Sequence, residues 1–308
     1  MSEVINFFQY YEKHNKLDGC LSYNHSLAKS SWLGVGGQAE VFYLCENNEQ
    51  LIDILNELPS KFKRTIIGQG SNLLIRDGGI KGLVIKLGKK YQCIGLEDKA
   101  LTIGAAALDK VVARFCEKNS IGGLEFLSGI PGNIGGAVAM NAGCFGGEIN
   151  DVFISAEGID YLGNVCNINK SVSLFEYRKN NNADNIIFTK IKLNAINKKQ
   201  DLIKEKMDEI NDKRSLAQPK GIRTGGSTFK NPDSKITLMK AWELIQKTES
   251  HKILLDGVSF SAKHSNFIEN RQTNSANRIE DFCNLVKNNI LDKLGIELDL
   301  EIKILGER

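Results

Sequence analysis

The clearest alternation of apolar and polar residues lies near the carboxyl end of the chain. Apolar residues take every second position and charged residues the positions between them: Ile296, Leu298, Leu300, Ile302 and Ile304 against Glu297, Asp299, Glu301 and Lys303. A period of two is typical of a strand with one buried face. The pattern therefore predicts a β-strand over 296–304.

Helical spacing of apolar residues marks the segments before this strand. Ile279, Phe282 and Ile290 share one face of a helix predicted over 276–294. A charged amphipathic helix is predicted over 201–215, and we place a domain boundary there. A shorter helix is predicted over 238–247.

The first two thirds of the chain mix strand and helix patterns. We expect strands over 39–44, 64–67, 73–76, 82–87 and 100–103, helices over 49–58 and 108–119, and β-rich sequence over 152–193. This mixture predicts an α+β fold. We divide the chain into two subdomains, 1–88 and 89–200, and a carboxyl-terminal domain, 201–308.

Composition narrows the class of protein. The 308 residues carry 40 Lys and Arg against 37 Asp and Glu, a net charge of +3 that gives no argument for nucleic acid. Charges interrupt the apolar run of residues 1–16, so we expect neither a signal peptide nor a membrane span. The seven cysteines are at least 22 positions apart, which argues against zinc sites and redox dithiols, and we expect no metal.

Glycine is concentrated in two places that suggest a bound nucleotide. Nine glycines fall among the 26 residues from Gly122 to Gly147, and Gly68-Gln69-Gly70-Ser71-Asn72 follows a predicted strand. Bare backbone of this kind can surround a phosphate, although a plain glycine turn is an alternative for each segment. Gly34 to Ala39 matches a dinucleotide fingerprint, but a predicted strand follows it where a helix is required, so we reject a Rossmann domain.

Six motifs follow one another along the chain: GQGSNLLIRDGGIKGLVI, LSGIPGNIGGAVAMNAGCFGGEI, EYR, GGSTFKNP, AKHSNFI and LEIKILG. Together they resemble the UDP-N-acetylenolpyruvoylglucosamine reductase family of bacterial peptidoglycan synthesis. The resemblance covers roughly residues 32–306. The first two motifs are shared more loosely with flavoproteins of the vanillyl-alcohol oxidase and p-cresol methylhydroxylase type, whereas the last four are not.

The resemblance implies an oxidoreductase with FAD held between two α+β subdomains of that type, and a third subdomain for the sugar nucleotide. Hydride would pass from NADPH to the flavin, and from flavin N5 to the enolpyruvyl ether of UDP-N-acetylglucosamine enolpyruvate, giving UDP-N-acetylmuramate. We expect a monomeric protein of the bacterial cytoplasm. The positions carried over as FAD contacts are Gly68, Gln69, Gly70, Ser71, Asn72, Leu73, Ser128, Gly129, Pro131, Gly132, Gly135, Gly136, Ala137, Asn141, Gly143, Arg214 and His264.

Three residues match the catalytic positions of the family. Arg178 would stabilise negative charge on the substrate, because a guanidinium can meet a carboxylate in two hydrogen bonds. Ser227 would donate a proton to the carbanionic carbon, and Glu301 would assist the enolic acid. Tyr177, Lys230 and Asn231 are carried over as substrate contacts.

The chain departs from the family pattern at Asn180, where the family has a serine two residues after the arginine of its Tyr-Arg motif. The interval from Arg178 to Ser227 leaves no room for the insertion with an extra substrate tyrosine, which implies the compact subclass. Two alternatives stay open: an alcohol or phenol oxidase of the related superfamily, and a flavin-binding protein without turnover. Ser227 and Glu301 in their motifs argue against the oxidase.

Overall fold

The computed structural model describes residues 2–15, 17, 19–97, 100–171 and 175–308. Its α-helices are α1 Glu3–His14, α2 Asn48–Glu57, α3 Asp109–Lys118, α4 Ile134–Ala139, α5 Ile149–Val152, α6 Gln200–Ala217, α7 Ala241–Lys247 and α8 Ala276–Leu294. Short 3₁₀ turns occupy Ala28–Ser30, Lys89–Gln92, Glu125–Gly129 and Ser250–Lys252.

The strands of the described residues are mostly short. They are β1 Gly19–Ser26, β2 Gln38–Cys45, β3 Arg64–Ile66, β4 Leu73–Ile75, β5 Ile80–Leu87, β6 Ile94–Glu97, β7 Ala100–Gly104, β8 Ile121–Gly122, β9 Gly143–Cys144, β10 Gly147–Glu148, β11 Phe153–Asp160, β12 Val165–Asn169, β13 Phe175–Glu176, β14 Lys179–Asn180, β15 Ile186–Asn194, β16 Ile196–Asn197, β17 Leu254–Leu255, β18 Val258–Phe260, β19 Ile268–Asn270 and β20 Lys303–Leu305. The mixture confirms the predicted α+β class.

The chain forms two units that alternate along the sequence. Unit 1 comprises Met1–Tyr23, Val41–Gln69 and Gly82–Arg214, and unit 2 comprises Asn24–Glu40, Gly70–Lys81 and Ser215–Arg308. Strands β1, β2 and β5 each contain a border between the units. The division into three continuous segments stays a prediction.

Unit 1 is built on a five-stranded antiparallel sheet of order β12-β11-β15-β7-β6. Its register brings Ile191 opposite Ala156 on one side and Ile103 on the other, and all three side chains are buried. A second sheet has the order β1-β2-β5-β3, in which β3 runs parallel to β5. These strands confirm the predicted ones, except that residues 172–174 of the predicted β-rich stretch lie outside the described residues.

Unit 2 is organised around α8. The apolar face of α8 is buried against β17, β18 and α7, with Ile279, Phe282 and Val286 fully enclosed. The Asp77 carboxylate accepts hydrogen bonds from the backbone N–H groups of Ala276 at 2.8 Å and Asn277 at 3.1 Å, which satisfies two donors of the first helical turn. The helix ends at Gly295 with φ of 66°.

Two expectations about secondary structure need correction. The predicted strand over 296–304 is wrong, because only Lys303–Leu305 forms a strand, parallel to β4. Leu300 makes a single bridge to Phe229, and no ladder forms over 296–302. The alternation reported burial correctly, since Leu298 and Ile302 are buried while Glu297 and Asp299 are exposed. Helix α1, buried through Phe8 and Tyr11, was not predicted.

The rejection of a Rossmann domain at Gly34 is confirmed, because strand β2 follows the glycines. Close packing explains these glycines instead. A Cβ on Gly37 would lie 2.3 Å from the carbonyl oxygen of Asp77, and one on Gly36 would lie 2.9 Å from the Cβ of Ile75.

Candidate active site

The two glycine segments meet within unit 1 at the side chain of Asn133. A Cβ on Gly68 would lie 2.5 Å from Asn133 Oδ1, and one on Gly136 would lie 3.0 Å from the same atom. Asn133 Nδ2 donates to the carbonyl oxygen of Ala105 at 3.0 Å, which fixes the amide. The same carbonyl accepts from Gly135 N–H at 2.8 Å, and Ala137 N–H bonds to the Asn133 carbonyl at 2.9 Å. Bare backbone therefore surrounds a fixed amide, as a nucleotide cradle requires.

The rest of the first glycine segment, from Gly70 to Leu73, belongs to unit 2. Gly70 has φ of 69°, and a Cβ there would lie 1.7 Å from the carbonyl oxygen of Ser30, so no other residue fits. Asn72 Nδ2 donates to the carbonyl oxygen of Glu301 at 3.1 Å, and Lys303 N–H donates to the Asn72 carbonyl at 2.9 Å. The glycine turn is thus joined to the segment that carries Glu301.

Two polar side chains of the second glycine segment bond to the protein itself. Ser128 Oγ donates to the Glu125 carbonyl at 2.7 Å. Asn141, with φ of 41°, donates to the Glu176 carbonyl at 3.1 Å and accepts from Asn150 N–H at 3.0 Å. Both residues are buried. Their side chains shape the segment, and their assignment as FAD contacts stays a prediction.

The other predicted positions of this segment are closely packed. A Cβ on Gly129 would lie 2.8 Å from Ile210 and 2.9 Å from Cys144 Sγ, and one on Gly143 would lie 2.6 Å from Glu148 Cβ. The carbonyl of Gly132, which follows Pro131, accepts from Asp109 N–H at 3.2 Å. The close contacts at Gly129 and Gly143 explain why these two positions carry no side chain.

A two-residue turn between β13 and β14 presents Tyr177 and Arg178. Arg178 has φ of 56°, a left-handed conformation that is uncommon outside glycine and frequent at functional sites. Its Nη2 donates to the Gly143 carbonyl at 3.0 Å, and its guanidinium lies 5.1 Å from the Tyr177 ring centroid. Arg178 is therefore tied directly to the second glycine segment.

Asn180, the departure from the family pattern, anchors this turn. Its side chain is buried, donates to the Val138 carbonyl at 3.3 Å and accepts from Asn182 N–H at 3.0 Å. Both hydrogen bonds lie within unit 1. The asparagine thus holds the hairpin of Arg178 against α4, the helix that follows Asn133.

The charges of Arg214 and Arg178 both affect the pKa of the Cys144 thiol. Burial raises the pKa of Cys144 to about 11, while Arg214 and then Arg178 act in the lowering direction. Burial lowers the pKa of Arg214, and the nearby thiol of Cys144 opposes that shift. Two cationic side chains predicted for the site are therefore close to one thiol.

Ser227 and Glu301 are brought together by the backbone of unit 2. Glu301 N–H donates to the carbonyl of Thr228, the residue after Ser227, at 2.8 Å. Lys230 N–H donates to the Asp299 carbonyl at 2.9 Å, so the segments 228–230 and 299–301 run side by side. Both Ser227 and Glu301 are partly exposed, as groups that meet a ligand must be.

The remaining predicted residues of unit 2 have local partners. Asn231 Oδ1 accepts from Ala241 N–H at 3.0 Å and so caps the start of α7. His264 Nδ1 accepts from Asn266 N–H at 3.1 Å, which requires that nitrogen to be unprotonated, and burial lowers the pKa of the ring. Their contacts with substrate and FAD stay predictions.

Comparison with known proteins agrees with this geometry. A family model described as UDP-N-acetylenolpyruvoylglucosamine reductase, C-terminal domain, matches residues 218–305, and a model described as FAD binding domain matches 39–169. A protein of that name from Rickettsia akari (strain Hartford) is 40% identical over 284 residues, covering 92% of this chain and 95% of the relative. The chain belongs to the UDP-N-acetylenolpyruvoylglucosamine reductase family.

Two further relatives support this membership. The protein of the same name from Rickettsia typhi (strain ATCC VR-144 / Wilmington) is 40% identical over 284 residues, again covering 92% of this chain and 95% of that one. The crystal structure of the UDP-N-acetylenolpyruvylglucosamine reductase of Thermus caldophilus matches with a TM-score of 0.80 at 27% identity, over 94% of this chain and 100% of that one. Family membership makes the protein an oxidoreductase with an FAD-binding domain.

The chemistry of the glycine segments fits FAD. Gly68 and Gly136 keep side chains away from Asn133, and both segments fall within the residues matched by the FAD-binding model. Within the described ranges, no group of three or more His, Cys, Asp and Glu is arranged to hold a metal ion. None of the described helices is long and apolar enough to cross a membrane.

Two asparagines that organise these sites are absent from the predicted residues. Asn133 stands between predicted contacts in the motif Pro131-Gly132-Asn133 and joins the two glycine segments. Asn266 stands two residues after His264 and bonds to the backbone of Phe229. Their motifs were recognised, but an asparagine in a loop gives no sign of which distant backbone it meets.

Proposed function

We propose that the protein is an NADPH-dependent reductase that converts UDP-N-acetylglucosamine enolpyruvate to UDP-N-acetylmuramate. The observation that carries this proposal is the pairing of Glu301 N–H with the carbonyl after Ser227 at 2.8 Å. It joins the two residues of proton chemistry that the family motifs predict, although they are far apart in the sequence. Membership of the family supports the substrate.

The role of Arg178 follows from the charge that the reaction creates. Hydride addition to an enol ether beside a carboxylate generates negative charge on the neighbouring carbon and on the carboxylate. A fixed guanidinium stabilises that charge because its positive charge and N–H donors are already oriented and need no rearrangement during the reaction. The bond from Arg178 to Gly143 and the cation–π contact with Tyr177 hold the group in place.

Ser227 and Glu301 would complete the reduction by moving a proton. A serine hydroxyl is a weak acid, so it can protonate only a strongly basic carbon and then needs a source of a new proton. Glu301 has a carboxyl side chain, and its backbone N–H is bonded to the carbonyl of Thr228, the residue after that serine. We assign Ser227 as the proton donor and Glu301 as the group that assists the enolic acid.

FAD, when bound, would accept hydride from NADPH and deliver it to the substrate. Gly68, Asn133 and Gly136 would hold it. Lys230 and Asn231 would contact the substrate. The cytoplasm of a bacterium and a monomeric state are further parts of the proposal.

An anaerobic absorbance experiment tests the function. NADPH is expected to bleach the flavin band, and UDP-N-acetylglucosamine enolpyruvate is expected to restore it. A band that stays bleached would reject this substrate and keep the flavoprotein. A protein that takes up no FAD would overturn the proposal.

The Ser227→Ala variant separates the two half-reactions. NADPH should still bleach its flavin, while reoxidation by the enolpyruvyl substrate should nearly stop because the proton donor is lost. Ser234→Ala, an exposed serine of the same unit, is the control. Full turnover of Ser227→Ala would contradict the assignment.

A further inference from the structure

The residue immediately before Ser227 gives this serine little support through packing. A Cβ on Gly225 would lie 3.2 Å from Ile302 Cγ2, but one on Gly226, whose φ is 78°, would have no atom within 4 Å. Adjacent glycines allow many backbone conformations. The position of Ser227 therefore depends on the residues that follow it.

Those following residues are held by the side chain of Asn266. Asn266 Oδ1 accepts from Phe229 N–H at 3.0 Å, and Asn266 Nδ2 donates to the Phe229 carbonyl at 2.8 Å. One amide thus satisfies both backbone groups of a residue that is 1% exposed. The backbone of Asn266 adds a third bond, because its carbonyl accepts from Thr228 N–H at 2.8 Å.

The same short segment is bonded on its other side to the chain of Glu301. The carbonyl of Thr228 accepts from Glu301 N–H at 2.8 Å, and Phe229 pairs with Leu300. Ser227 itself pairs with Phe267, the neighbour of Asn266. Three segments therefore run side by side. Thr228 and Phe229 form the middle one, with the segment of Asn266 on one side and that of Glu301 on the other.

We propose that Asn266 is a positioning residue that fixes Ser227 relative to Glu301 for proton transfer. This inference rests on the proposed function, in which Ser227 donates the proton. Loss of the amide leaves a buried N–H and a buried carbonyl of Phe229 without their partner, which favours a shift of the segment. Because Gly226 has open space around it, packing before Ser227 does not oppose this shift, and the hydroxyl moves with the segment.

The test uses the FAD-loaded protein with Asn266→Ala and follows the half-reactions separately without oxygen. Bleaching by NADPH should stay within about twofold of the unaltered protein, while reoxidation by the enolpyruvyl substrate should slow by about 10- to 100-fold, the effect of a small misplacement. The slowed step should show a larger solvent isotope effect in D₂O, because proton delivery then limits it.

Asn270→Ala is the matched control. Asn270 is also a buried asparagine of this unit, 3% exposed against 5% for Asn266, and its side chain donates to the carbonyls of Leu33 and Thr273 instead. It should lose stability without a selective loss of reoxidation. Equal behaviour of the two variants would overturn the positioning role, as would a parallel loss of both half-reactions in Asn266→Ala.

Asn266→Asp provides a second variant that keeps the shape of the side chain and loses the Nδ2 donor to Phe229. The same selective loss is expected at neutral pH. Hydrogen exchange measured by mass spectrometry should also show faster exchange at 228–230 in both Asn266 variants. Unchanged exchange at 228–230 would show that the Asn266 side chain does not hold this segment. Failure of the unaltered protein to reoxidise with the sugar nucleotide would instead reject the proposed function.

Discussion

The Gly68→Ala substitution tests whether the meeting of the two glycine segments supports FAD binding. The new Cβ would lie 2.5 Å from Asn133 Oδ1, whereas Cβ contacts below 3.0 Å essentially never occur. Asn133 or the chain at residue 68 must therefore move by at least about 0.5 Å. A movement of that size would stretch the bond from Asn133 Nδ2 to the Ala105 carbonyl, now 3.0 Å, to the limit of hydrogen bonding at about 3.5 Å.

The energetic consequence can be estimated from this bond. Asn133 is only 9% exposed, so an amide that loses its partner there costs about 1–3 kcal/mol. FAD binding requires Asn133 in its present position, whereas the flavin-free protein can relax around the new Cβ. The lost free energy therefore weakens the binding of FAD. FAD should then bind roughly 5- to 150-fold more weakly.

The assay is a titration of the flavin-free protein with FAD, followed by flavin absorbance or fluorescence. Gly95→Ala is the control, because a Cβ there would meet no atom within 4 Å. In the double variant Gly68→Ala/Asn133→Ala the obstacle is gone, and the losses should be less than additive. A dissociation constant of Gly68→Ala within twofold of the unaltered protein would show that the contact with Asn133 does not support FAD binding.

Three further predictions concern charge and reactivity. Asp109 is fully buried and its carboxylate oxygens have no hydrogen-bond partner, so burial raises the pKa of this carboxyl group. The unaltered protein therefore loses stability as pH rises through the folded pKa, and Asp109→Asn avoids this loss. The melting temperature of the variant should exceed that of the unaltered protein by more at pH 8 than at pH 5, and an equal difference at both pH values would contradict this. Asp77→Ala should cost about 1–2 kcal/mol through the lost cap of α8, lowering the melting temperature by at least about 2 °C, and a smaller shift would count against the cap. Iodoacetamide at pH 8 should modify exposed Cys20 well before Cys144, whose pKa of about 11 keeps it protonated, and equal rates by peptide mass spectrometry would refute this.

Local sequence determined the elements whose patterns are complete within a short stretch. Apolar spacing in α8 and the β-branched and aromatic residues of β2 predict a helix and a strand, and the structure confirms both elements. The glycines of the two segments were likewise visible, since a position that only glycine tolerates leaves its mark on the residue type. Motif order was enough to indicate the family and the α+β fold.

The prediction over 296–304 shows where a local pattern stops being informative. Alternation fixes which side chains are buried, and Leu298 and Ile302 obey it. Whether the backbone joins a ladder depends on a neighbour with free donors and acceptors along its length. Strand β4 provides one for Lys303–Leu305, whereas Leu300 meets its neighbour Phe229 in a single bridge.

Tertiary structure alone decided which distant residues meet. It placed Asn133 between the two glycine segments, Asn266 against the backbone of Phe229, and Glu301 beside the residue after Ser227. An asparagine amide or a backbone N–H has the same local signature whatever its partner is. The sequence thus determined the types of chemical group available to this protein, while the packing of chains far apart in sequence determined their pairing, because that pairing depends on the whole fold.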